Sequence, residues 1–148
     1  MRMVIVTLSA LLSGCSLWPD NTSPSVFAQP GVDVQITGEI DVEGERVVLI
    51  ARSLASAPLC FDPMSWPDSH GQVHFGARLM RIDAGAIQIP LIDENLGYFP
   101  PGYYPDPIVL EPGEAMRAEI GFDRFDFPDE MPDLENATVV YGYPGYFC

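Results

Sequence analysis

The sequence predicts an all-β domain, an antiparallel sandwich of about six to eight short strands. Apolar and polar residues alternate with period two, as in Val32, Val34 and Ile36 against Asp33, Gln35 and Thr37. The alternating segments are rich in β-branched residues and are separated by Gly, Pro and Asp turn signals. No segment of useful length carries an apolar helical period.

The elements follow in order. Val32 opens the first alternating strand. Asp41-Val42-Glu43-Gly44-Glu45 reads as a turn, and Val47, Val48, Leu49 and Ile50 mark a second strand over Arg46–Ser53, so the pair is expected to be a hairpin. Residues 58–73 read mostly as loop, with Cys60 at its ordered edge and Trp66 among prolines. Residues 76–82 and 86–91 read as two strands around Asp83-Ala84-Gly85, and 93–107 as a second long loop. Ile108-Val109-Leu110 is a short strand, and Glu111-Pro112-Gly113-Glu114 a turn with Pro and Gly in its central places. In residues 115–122, Met116, Ala118, Ile120 and Phe122 share a face opposite Arg117, Glu119 and Gly121. An acidic, proline-broken stretch over 123–135 precedes a closing strand over 137–143.

Composition narrows the function classes. An apolar content of 47% excludes wholesale disorder and supports one domain with a real core. The 21 Asp and Glu face 7 Arg and no Lys, for a formal charge of −14. Such a surface repels phosphate backbones, so nucleic acid is not an expected partner. It also repels anionic headgroups.

Arg2, the apolar run from Met3 to Leu12, and Ser13-Gly14 before Cys15 have the three parts of an export signal. The run is too short to span a bilayer, which takes about 20 residues in a helix. Leu12-Ser13-Gly14-Cys15 resembles the lipobox of bacterial lipoproteins in all four positions. The resemblance covers residues 1–16. It implies removal of residues 1–14, a diacylglyceryl thioether on Cys15 and an acylated new amine, hence firm membrane attachment. Ser16 in place of Asp leans towards the outer membrane. An ordinary secretory signal beside a coincidental cysteine, or a buried apolar strand, is the competing reading. Residues 15–30, with Pro19, Pro24 and Pro30 among polar residues, read as lipidated cysteine and flexible tether, and 31–148 as the folded domain. Membrane contact is therefore expected through the lipid alone.

With Cys15 assigned to lipid, Cys60 and Cys148 remain, and an oxidising compartment makes them a disulfide pair. The bridge would close a loop of roughly ninety residues and contribute about 3–5 kcal/mol. The hairpin, the Leu-Glu-Pro-Gly-Glu turn and the final strand are similar to bacterial immunoglobulin-like domains, over residues 31–148. That resemblance implies a sandwich, although the core Trp between cysteines of antibody domains has no counterpart here.

Catalytic patterns are weak. Hydrolysis needs a nucleophile, a base and an orienting acid, and no Gly-x-Ser-x-Gly elbow is present. No glycine-rich phosphate loop and no cofactor motif occurs, and the chain is not expected to be an enzyme. His70 and His74, with Asp62 and Asp68 nearby, have the spacing of a helical metal pair, but Pro67 and Gly71 place them in a loop. Asp123, Asp126, Asp129, Glu130 and Asp133 offer hard oxygen ligands without the spacing of a calcium loop. Tyr98, Phe99, Tyr103 and Tyr104, held among prolines, form a candidate surface for an envelope protein or glycan. Tyr141, Tyr143, Tyr146 and Phe147 form a second aromatic group. The competing reading, and the favoured one, is that both groups cover the open end of the sandwich, with Cys148 pinning them.

These residues lead to an expectation of a lipid-anchored envelope protein presenting a binding module. The alternatives are a structural envelope lipoprotein without a specific ligand and, more weakly, a metal-binding protein.

Overall fold

The structure, a computed structural model, describes residues 27–74, 79–92 and 105–148. Among the described residues nine strands run in chain order: β1 (Val34–Asp41), β2 (Arg46–Ser53), β3 (Leu59–Phe61), β4 (Met80–Ala84), β5 (Ile87–Pro90), β6 (Ile108–Leu110), β7 (Ala115–Gly121), β8 (Thr138–Tyr141) and β9 (Tyr146–Phe147). They form three antiparallel sheets of three strands, ordered β1-β2-β7, β6-β3-β9 and β5-β4-β8. The all-β antiparallel class is the one the alternation predicts. Its layering is compatible with an immunoglobulin-like sandwich, divided here into three small sheets. No helix among the described residues is long and apolar enough to cross a membrane.

The β1–β2 hairpin forms as expected, in register from Val34 opposite Ser53 to Asp41 opposite Arg46. Its central strand shows why the pattern is legible. Val47, Leu49 and Ala51 are 0% exposed, and Ile120 and Ala118 of β7 lie opposite Val47 and Leu49 on the same buried face. Val32 departs from expectation. It sits in the turn before β1 and is 63% exposed, and Asp33 shapes that turn by accepting the Gln29 amide at 2.9 Å.

Two strands occur where the sequence reads otherwise. Leu59–Phe61 is the central strand of its sheet, flanked by β6 and β9, so Cys60 stands mid-sheet and not at a loop edge. Its three residues are all buried and show no alternation, so period two could not reveal it. The closing strand ends at Tyr141, and the chain then turns through Gly145 to form β9. Gly145 has φ 77°, and a Cβ there would stand 3.0 Å from the Phe61 ring, so glycine lets β9 close onto β3.

Further boundaries move. Asp83 and Ala84 belong to β4 and pair with Gln88 and Ile87 of β5, which moves the turn to Gly85-Ala86. Residues 76–78 of that expected strand lie outside the described residues. Phe122 begins a 3-10 turn, Phe122–Arg124, instead of extending β7. Phe27 to Pro30, read with the tether, join the folded unit: Ala28 is 2% exposed and its amide donates to the Gly145 carbonyl at 3.1 Å.

One core unites the three sheets, including Val34, Leu49, Leu59, Phe61, Met80, Ile82, Ile89 and Ile120. β1 lies against β8, and Gly38 allows the approach, because a Cβ at that position would collide with the Val139 side chain. Trp66, expected in a proline-rich loop, is 4% exposed and belongs to this core.

Candidate functional site

The segment 62–74 is organised by two carboxylates. Asp62 accepts the Met64 amide at 2.9 Å and the Ser65 hydroxyl at 3.2 Å, and its carbonyl takes the Ser65 and Trp66 amides. That tight turn swings Trp66 inward. Asp68 Oδ1 accepts the His70 amide at 2.8 Å and the Gln72 amide at 2.9 Å, while Oδ2 lies 3.4 Å from His74 Nε2. Burial alone would raise the Asp68 pKa. The Gln72 and His70 amides and the His74 ring outweigh it and hold the carboxyl below its ordinary range.

This geometry assigns the histidines. They lie in a loop, as Pro67 and Gly71 indicate; His70 is exposed and His74 is half-buried against Asp68. Asp62 and Asp68 each serve their own turn and do not meet in a shared site. Among the described residues no three His, Cys, Asp or Glu side chains converge as a metal set. Gly71, with φ 71°, passes so near the Glu119 carbonyl that a Cβ would stand 2.7 Å from it, which sets the loop against β7. Pro67, Asp68 and Ser69 then face Arg117, Ala118 and Glu119 across an open groove of about 350 Å3. Arg117 donates to Glu119 at 2.9 Å, and Arg46 bridges Asp41 and Glu119, both at 2.9 Å. The outer face of β1-β2-β7 is thus a charge lattice exposed to solvent, whose individual pairs contribute little to stability.

The acidic stretch divides by side-chain type. Asp123, Asp126, Asp129, Glu130 and Asp133 are exposed, while Phe125 and Leu134 are buried. Phe127 lies 5.1 Å from Phe122 and 6.2 Å from Phe125, ring centre to ring centre. The segment is fastened by its aromatics and presents its carboxylates outward.

The second aromatic group is built into the fold. Tyr141 meets Trp66 edge to face at 5.7 Å and donates its hydroxyl to the Ser65 carbonyl at 2.6 Å. Trp66 in turn meets Phe61 at 5.7 Å, and Tyr143 meets Phe61 at 6.5 Å. Burial, then the nearby Tyr143 and Asp62, push the Tyr141 phenol far above its ordinary range. Tyr141 and Tyr143 thus pack against the core, a structural role and not that of an open aromatic surface. Sequence reasoning missed Trp66 as their centre, since a Trp between loop prolines carries no periodic signal.

Cys60 and Cys148 are joined in a disulfide with Cα atoms 5.2 Å apart, and the Cys148 amide donates to the Pro58 carbonyl at 3.2 Å. Cys15, Tyr98, Phe99, Tyr103 and Tyr104 lie outside the described residues. Comparison with known protein families, curated proteins and solved structures finds no match to this chain.

Proposed function

We propose that this chain is a lipid-anchored protein of a bacterial cell envelope whose β-domain is a binding or interaction module. The observation that carries the reading is the division of its three cysteines. Cys60 and Cys148 share a disulfide, and the remaining thiol is Cys15 of Leu12-Ser13-Gly14-Cys15. A bridge of that kind suits an oxidising compartment, and the lipobox-like motif suits lipid attachment within it. Ser16 favours the outer membrane. A rigid all-β domain behind a proline-broken tether suits presentation of loops, with Tyr98, Phe99, Tyr103 and Tyr104 as the recognition surface for an envelope protein or glycan.

Intact mass of the protein expressed in a bacterium tests the anchor. The expected product begins at Cys15 and carries acyl chains, and a product retaining Met1 or an unmodified Cys15 contradicts it. Capture from detergent-solubilised envelope tests the module. A protein or glycan held by the native chain is expected to be lost when Tyr98, Phe99, Tyr103 and Tyr104 are all changed to Ala.

One observation favours the structural alternative: Tyr141 and Tyr143 pack on Trp66 and Phe61, so part of the aromatic surplus is consumed by core packing. Equal capture by both baits, or none by either, would make that alternative the better account.

A further inference from the structure

The strands of the β6-β3-β9 sheet carry no charged side chain, on a chain whose formal charge is −14. Register places Val109 opposite Cys60 and Cys60 opposite Tyr146, and Phe27 bridges Tyr146 from beyond the sheet edge. Directly opposed residues share a face, so Phe27, Tyr146, Cys60 and Val109 make one row. Leu59 and Phe61, on either side of Cys60, point the other way and are 0% exposed. Phe27 is 57% exposed and Val109 49%, while Cys60 is covered. None of the three strands contains Asp, Glu or Arg. The nearest acidic residues along the chain, Asp62, Asp106 and Glu111, stand beyond the strand ends.

The row also includes Phe27, the described residue nearest Cys15 along the chain. Residues 16–26 separate Cys15 from Phe27. Fully extended, a segment of that length reaches about 40 Å. A lipid on Cys15 therefore keeps Phe27 within that reach of the headgroups, so the row is able to meet them.

We propose that this row is the membrane-facing surface of the domain, lying against zwitterionic headgroups while the acidic faces point away. The proposal rests on the lipid-anchor reading for its setting. Phe and Tyr suit the headgroup boundary, where an apolar ring and a polar hydroxyl both find partners. The acidic faces cannot approach as closely, because the charges of Asp and Glu would lose water there. Overall charge predicts contact through the lipid alone; the placement of charge leaves one face free to settle.

The test is hydroxyl-radical footprinting of the full chain on vesicles of phosphatidylcholine, read at Phe27 and Tyr146. Met131, in the acidic stretch and also 57% exposed, is the internal control. Intact mass is taken first. Where Cys15 proves unmodified, its thiol, the only one outside the disulfide, is coupled to a maleimide-bearing lipid, so that the face is tested whatever becomes of the anchor reading. Oxidation of Phe27 and Tyr146 is expected to fall at least threefold relative to the vesicle-free C15S chain, with Met131 unchanged. The double variant F27E/V109E, altered only at exposed positions, is expected to return Tyr146 to its vesicle-free rate. Equal reactivity with and without vesicles, or equal protection of Met131, would overturn the proposal. So would a Tyr146 in the double variant that remains as protected as in the native chain.

Discussion

Burial keeps the Tyr141 phenol neutral in the folded protein far above the pH at which an exposed tyrosine ionises, and that has a stability consequence. The folded pKa is raised, so Tyr141 contributes its full stability below about pH 10, the unfolded value, and loses it as pH rises further. Unfolding free energy, followed by urea titration, is expected to fall progressively above that pH in the native chain and less steeply in Y141F. At neutral pH the same substitution removes the donor to the Ser65 carbonyl and is expected to cost about 1–2 kcal/mol. Asp68 works in the opposite sense. Its folded pKa is lowered, so its contribution is present above the ordinary value of 3.8 and is lost as pH falls through the folded one. Protection factors of the His70 and Gln72 amides, followed by NMR exchange, are expected to fall in that acid window, and D68N to show the lower protection already at neutral pH. Trp66 shows what residue identity alone conceals. Its burial follows from the Asp62 turn and the arrival of Tyr141 from across the fold, neither of which its sequence neighbours announce.

At the scale of elements, alternation located the long strands, while burial on both sides hid β3 and shortness hid β9. β2 and β7 each have one buried and one wetter face, so their apolar residues recur every second position. β3 has no wet face, and β9 is only two residues long, so neither produces a period. The Cys60–Cys148 bridge ties β3 to the residue that follows β9, across a sequence separation of 88. C148S is expected to lower stability by about 3–5 kcal/mol, as loop-closure entropy returns to the unfolded chain. Calorimetry measures the loss. Hydrogen exchange should place the first opening at residues 27–28 and 145–147, which pair with β3 or with each other, before the β1–β2 hairpin. The hairpin has its own weak point at Gly38. G38A is expected to cost at least about 1–3 kcal/mol, the usual range for forcing volume into a packed contact, because Val139 occupies the space.

For the whole molecule, charge is the dominant long-range term. A formal charge of −14 opposes compaction, and the few ion pairs on β1-β2-β7 engage only some of the carboxylates. Raising monovalent salt from about 10 mM, where screening reaches 30 Å, to about 150 mM, where it reaches 8 Å, is expected to raise Tm. A fall in Tm over that range would mean that the surface pairs outweigh the repulsion. The same charge is unevenly placed, with the β6-β3-β9 sheet free of it and the 123–135 stretch rich in it. Composition reports only the sum.

The sequence by itself determined the all-β class, the hairpin, the Pro-Gly turn before β7 and the pairing of Cys60 with Cys148. Those properties are local, periodic or a matter of counting, so each can be read without knowing what lies across the core. Only the tertiary structure decided that Trp66 is a core residue, that Cys60 stands mid-sheet and that Tyr141 packs on Trp66. It alone also placed Phe27, Tyr146 and Val109 in one row. Those residues come from segments far apart in the chain. What joins them is strand register and shared burial, and neither leaves a periodic trace along the sequence.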